Sequence, residues 1–496
     1  MGRHPARRGA ESPPHRLKCS SNKKQAVMDL TGLSASALSR LIHARKVAPS
    51  DVMSAVLARI ARVNPAVNAI VALRDPGLLM AEAQALDDLE PSGWLHGIPF
   101  AIKDLQRVSG ILSSSGHPGL ADFIPKADDM LPRRVRAAGG IIIGKTNVPE
   151  FGLGSHSYNP VHGVTGNPYD PSRSAGGSSG GAAAALAARL VAVADGSDMM
   201  GSLRNPAAFC NVYGFRPTFG LVPADPEGDG FLHQLATDGP MARTIEDLAR
   251  FLEILAVPEP TDPHSRAWEP FSAGLDVEVK GTRIGWLGDW GGAFPTEPGI
   301  LDTCAAALVA LTDLGCSVEA VPPPFPADRL WESWTMLRSW SVAAGLGVLY
   351  AEPKSRAHLK PEAIWEIERG LSYSAAEIHR ASVIRSQWYA TLAGLFERYD
   401  ALVLPSAQVW PFPKEQTWPR RIAGQEMDTY HRWMQVVIPV SLVGLPALAV
   451  PAGFGEQGLP MGVQIFGPKG TDRRLLRLGQ AYHRATDWPS QRPAEA

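Results

Sequence analysis

From Ser34 to Arg62 the apolar residues recur at the spacing of one helix face, and a second stretch of this kind runs around Leu78 to Leu89. The period then changes. GIPFAIKDL, Gly97 to Leu105, is a nearly continuous apolar run and predicts a buried strand. VRAAGGIIIGKTN, Val135 to Asn147, predicts a helix end, a Gly-Gly turn and another apolar strand. Helical stretches and apolar runs keep alternating through RIGWLG, CSVEAV, ALVLPS and ALAVPAG. That alternation predicts an α/β layered fold. The chain contains no internal repeat.

The run from Pro258 to Lys280 is rich in Pro, Asp and Glu and reads as a surface excursion. Apolar strands lie on both sides of it, so the pattern favours one large domain over residues 28–490. Within it, residues 258–400 are expected to form a variable cap that shapes a substrate pocket. Residues 1–27 are rich in Arg, Lys, Pro and Ser and read as a disordered tail. They lack the apolar core of a secretory signal. No window reaches the roughly 18 uninterrupted apolar residues of a membrane span.

Composition narrows the partners. The 496 residues are 45% hydrophobic and 20% charged, with a formal net charge of -1. Such a chain buries a large core and offers no basic face to nucleic acid, which leaves a small molecule as the expected partner. Cys19, Cys210, Cys304 and Cys316 are scattered without CxxC spacing, so neither a disulfide nor a zinc site is expected, and a reducing, cytoplasmic location fits.

The stretch GGSSGGAAAA, Gly176 to Ala185, is the chemical question in this chain. Gly and Ser alone read as a linker, yet the alanines that follow have the propensity of a buried helix. GGSSG satisfies G-x-S-x-G, but a nucleophile elbow needs an apolar strand before it, and the approach here is NPYDPSRSAG. A phosphate cradle would lack its lysine motif. A plain structural turn is the remaining bland reading.

A fourth reading uses more of the chain. GGSSGG, the downstream GSDMMGSLRNPAAF and the upstream IKDL together resemble the amidase signature family. So do GKTNVPEFGLG, NVYGFRPTFGLV, GPMART, VGLPALAVPAG and GLPMGVQIFGP, and the likeness runs from about Met28 to Trp488. The resemblance implies one α/β/α domain with a central mixed sheet flanked by helices, and amide hydrolysis through an acyl-enzyme without metal or cofactor. By the same resemblance Ser202 is the nucleophile, Ser178 the proton shuttle, held through a cis peptide, and Lys103 the base. The residues themselves are compatible with this. A lysine is a base only when neutral, and Lys103 sits in an apolar strand where desolvation lowers its pKa. Strand alternation turns Ile102 and Asp104 to the opposite face.

The resemblance also assigns the oxyanion donors to the backbone N–H groups of Met199, Met200, Gly201 and Ser202. Here the chain departs from the family, which shows a threonine and glycines ahead of the nucleophile. Methionine keeps its N–H but adopts positive φ reluctantly. Gly177 and Ser179 are expected to support the turn, and Asp198 with Arg204 to brace the loop as an ion pair. His156 and His162 carry no metal spacing and read as structural. The Trp-rich segment LWESWTMLRSW offers Trp331, Trp334 and Met336 as pocket walls, with Leu153 and Tyr158 from the earlier loop and Trp410 and Trp433 from later in the chain. Those walls predict a hydrophobic or aryl amide, anilide or carbamate substrate, acted on by a monomer or homodimer. The alternatives are a non-enzymatic binding protein and the glutamine-hydrolysing subunit of a tRNA amidotransferase. The first would be expected to lose Lys103, Ser178 or Ser202, and all three are present. A membrane-associated fatty-acid amide hydrolase would need an anchoring helix the sequence does not offer.

Overall fold

The computed structural model describes residues 1–2, 28–225 and 228–494. Of the expected tail, residues 1–27, all but the first two lie outside the described residues. The stretch read as one helix from Ser34 is two, Ala35–His43 and Pro49–Val67. Pro49 is the cause: it lacks an N–H and so opens a helix where it would break one. Downstream the helix is Pro76–Gln84, started by the Asp75 carboxylate, which accepts from Leu78 N at 2.9 Å.

Eight strands form the central sheet, in the order Ser317–Ala320, Arg283–Trp286, Ala401–Pro405, Pro460–Phe466, Ala447–Phe454, Tyr213–Arg216, Thr237–Ala242 and Val193–Asp198. The first three run parallel and every later pairing is antiparallel, so the sheet is mixed. A second sheet of three strands, Ile70–Val71, Ile141–Thr146 and Pro99–Lys103, sits at its far edge. Lys103 N donates to the Asp195 carboxylate at 3.0 Å, which ties the two sheets together. Helices cover the sheets on both faces, and the resulting core holds Phe100, Ile143, Val193, Phe215, Leu402 and Ile465, all fully buried.

The helix Gly180–Ala187 is buried along its whole length. Its alanines and glycines let it pass through the middle of the molecule: a Cβ on Gly181 would collide with the backbone of Asn147. Within residues 258–400, two strands and the helix Ile300–Asp313 belong to the central sheet layer. What lies outside the sheet is narrower, namely the helices Ala327–Ala351, Pro353–Arg356, Pro361–Ser372 and Ala375–Arg398. The long first helix packs against the last two, and Gly370 lets the backbones meet at Ser339.

Candidate active site

Lys103 ends a strand buried at every position and is itself 1% exposed. Its Nζ lies 2.9 Å from Ser178 Oγ, 2.8 Å from Ser179 Oγ and 2.8 Å from Ser197 Oγ. No carboxylate touches it among the described residues. Asp104, on the opposite face, faces Lys145 at 3.5 Å and accepts from Ser114 Oγ at 2.7 Å. Burial pulls the Lys103 ammonium down to a pKa of about 8, against the opposing pull of Asp238, Asp195 and Asp198. Burial also pushes Asp195 up to about 6 and Asp238 up to about 7.

The glycine-serine turn leads into the buried helix. A short strand, Asp170–Ser174, does precede it, but it is not the apolar strand that a nucleophile elbow needs. That strand is polar and belongs to a two-stranded hairpin with Gly166–Asn167, apart from the central sheet. Gly176 has φ +75 and the Gly177–Ser178 peptide is cis. Gly177 N donates to Asn205 Oδ1 at 3.2 Å and Gly180 N to Ser157 Oγ at 3.0 Å. The turn is joined to the second serine loop directly, since Ser179 N donates to the carbonyl of Ser202 at 3.2 Å.

That second loop is organised by one carboxylate. Asp198 accepts from Gly201 N at 2.8 Å and Leu203 N at 3.2 Å, and meets Arg204 through both oxygens at 2.9 Å. Arg216 adds a further contact at 3.1 Å. Burial alone would raise the Asp198 carboxyl; the two guanidiniums override it and hold it well below the usual range. Arg204 also reaches Val437 O at 3.1 Å and Ser441 Oγ at 2.6 Å, so the loop is anchored to the far side of the core. One expectation changes here. The Gly201 N–H, expected among the oxyanion donors, donates to the Asp198 carboxylate instead. Positive φ falls on Gly201 alone in this loop, at +77, so Met199 and Met200 keep ordinary backbone geometry. Met200 is buried, and the Met199 thioether accepts from Arg338 Nη1 at 3.1 Å.

The expected wall residues separate. Leu153 and Tyr158 line a small recess with His156, Lys360, Tyr430 and Trp433. Lys360 Nζ donates to the Leu153 carbonyl, and burial lowers its pKa to about 8. Trp334 is instead fully buried in the core, because the face of its helix that carries it packs inward. Trp331 and Met336 are half-buried against that core, with Trp331 stacked at 5.0 Å on His431. Trp433 is a core residue, while Trp410 lines a separate groove with Arg173 and Glu297. His156 bonds Lys414 O at 2.8 Å and Ser174 at 2.7 Å, and His162 meets Ser114 at 3.1 Å.

A cavity of about 560 Å³ opens on the Lys103 side, with Leu105, Gln106, Phe123, Phe151, Val222 and Asp238 in its walls. Lys103, Ser178, Ser179 and Ser202 do not line it. Leu105 and Gly152 stand between, for a Cβ on Gly152 would touch Leu105 and come within 3.6 Å of Ser178 Oγ. Sequence reasoning missed Ser197, Arg216, Arg338 and Gly152. Ser197 alone was signalled, by lying five residues before Ser202 on the strand that leads into its loop. Among the described residues no group of three or more His, Cys, Asp or Glu side chains is placed to hold a metal, and no helix is long and apolar enough to cross a membrane.

Residues 51–476 match the sequence profile of the Amidase family. The chain belongs to the amidase signature family. An acylamidase of Rhodococcus erythropolis is 32% identical over 480 residues, 94% of this chain and 98% of that protein. One component of the glutamyl-tRNA(Gln) amidotransferase of Thermus thermophilus is 34% identical over 465 residues, 89% of this chain and 94% of that one. Among solved structures, a bacterial aryl acylamidase of the amidase signature family superimposes with a TM-score of 0.86 at 29% identity, covering 93% of this chain and 99% of its own. This amidase signature protein is accordingly an enzyme that hydrolyses amide bonds.

Proposed function

We propose that this amidase cleaves small neutral amides carrying a hydrophobic or aryl group, anilides and aryl carbamates among them, through a Ser202 acyl-enzyme. The observation that carries the reading is the buried contact of 2.9 Å between Lys103 Nζ and Ser178 Oγ. Neutral Lys103 draws the proton of Ser178, and Ser178 draws that of Ser202. Ser202 Oγ then bonds to the amide carbon, and the negative oxygen is met by backbone N–H groups of the 199–202 loop, chiefly Met200 and Ser202. Ser178 returns the proton to the departing nitrogen as the C–N bond breaks. Water attacks the ester by the same relay and releases the acid and free Ser202.

The acylamidase and aryl acylamidase relatives support this substrate class. The amidotransferase relatives favour a second reading, in which free glutamine is the amide donor. Purified protein assayed against p-nitroanilides, primary aliphatic amides, aryl carbamates and glutamine separates the two. Anilide or carbamate turnover that vanishes in Ser202→Ala is the expected result, and turnover confined to glutamine would replace this reading by the second.

A further inference from the structure

Arg338 lies on the Ala327–Ala351 helix and is 3% exposed. A buried guanidinium needs both charge and oxygen acceptors around it. Its charge is matched: Nε donates to Glu366 Oε1 at 2.8 Å and Nη2 to the Tyr430 hydroxyl at 2.8 Å. Glu366 is completed by Ser339 Oγ at 2.5 Å and by the Tyr430 hydroxyl at 2.9 Å. Nη1 is different. Its acceptor is the thioether of Met199 at 3.1 Å, and sulfur of this kind accepts weakly.

The place of this arm matters as much as its partner. Met199 opens the loop that carries Ser202. The Tyr430 ring lies close to Gly154, in the segment whose Gly152 stands beside Ser178. One cluster thus borders both loops that flank the two serines, and its least satisfied N–H points to the Ser202 loop. In the proposed reaction the leaving nitrogen must face Ser178, from which it takes its proton. The acyl chain, bonded to Ser202 Oγ in the acyl-enzyme, is then the part of the substrate next to the 199–202 loop, which Arg338 Nη1 touches at Met199.

Resting on the proposed amide hydrolysis, we infer that Arg338 is a specificity-determining residue, whose Nη1–H passes from Met199 Sδ to an oxygen acceptor in the acyl chain of the substrate. The class is a neutral amide with an ether, ketone or second amide oxygen near the scissile carbonyl. A free carboxylate is disfavoured at Nη1, because Glu366 already neutralises the guanidinium.

The test compares butyranilide with methoxyacetanilide, which differ by one CH₂ replaced by oxygen, in calorimetric titrations of the full-length Ser202→Ala protein. Methoxyacetanilide is expected to bind about tenfold more tightly, the scale of one charge-assisted hydrogen bond. Adding Arg338→Lys, which keeps the charge beside Glu366 and removes Nη1, should erase the preference. Adding Met199→Leu, which removes the competing sulfur, should widen it. A preference absent in the parent protein, or binding of neither anilide, overturns the inference. So does a preference held within twofold through Met199→Leu, which decides the matter if Arg338→Lys does not fold. Turnover of p-nitroanilides by the unmodified enzyme is read separately. Turnover without the binding preference sinks the role of Arg338 alone, whereas the preference without turnover sinks the anilide reading alone.

Discussion

The floor of the site and its helical wall are built on different terms. The floor, from Lys103 through the two serine turns, is locked by backbone hydrogen bonds and one buried carboxylate. The wall, from Ala327 to Arg398, consists of long side chains on helices, and its polar atoms meet only through tertiary packing. On the proposed reading the floor fixes where the reacting atoms stand and the wall fixes what is admitted, so substitutions in the two regions should fail in different ways.

The largest effect is expected at the floor. Ser202→Ala and Lys103→Ala should each lower turnover by roughly 10⁴-fold or more, with circular dichroism unchanged, since members of one relay are not additive. Retained turnover in either variant would break the contrast at once. Ser178→Ala should lower amide hydrolysis by about 10²–10⁴-fold and spare activated esters, because a good leaving group does not need the returned proton. Equal losses on both substrate types would remove Ser178 from that step.

The pH profile sharpens the same half. Lys103 is effective as a base only when neutral, and burial lowers its pKa to about 8. kcat/KM should therefore be low on the acid side and rise with pH through that region. A profile flat from pH 6 to 10 would assign the base elsewhere.

Gly201→Ala tests how rigid the floor is. The residue has φ +77, and a new Cβ would lie 2.9 Å from both methyls of Val437. The strain should cost about 1–3 kcal/mol in chemical denaturation, with kcat falling more than KM rises. At the wall, Trp331→Ala should cost roughly 1 kcal/mol and leave kcat within about twofold, with any change confined to KM. A kcat collapse there would erase the distinction between the two regions.

The same contrast governs what the sequence reveals. Strands such as Pro99–Lys103 and Ala401–Pro405 are legible because a strand buried on both faces is mostly apolar. The two serine turns are legible because a chain crossing within contact of other backbones tolerates few residues besides glycine and serine. Pro49 marks a helix boundary that periodicity alone reads through. Trp334 and Trp331 are three residues apart on one helix, yet one is core and the other half-buried, and only the packing of that helix decides which. Arg216 and Arg338 carry no local pattern at all. Their partners, Asp198 and Glu366, come from distant strands and helices, so folding alone brings them together.

The ring of hydroxyls around Lys103 has a kinetic meaning. A neutral amine offers two hydrogens and one lone pair, which matches the three oxygens of Ser178, Ser179 and Ser197 that surround it. A hydroxyl changes from giving to receiving by swinging a single hydrogen about its C–O bond, and no heavier atom has to travel. In the proposed cycle the proton current can therefore run inward while the ester forms and outward while the amine leaves, through a scaffold that stands still.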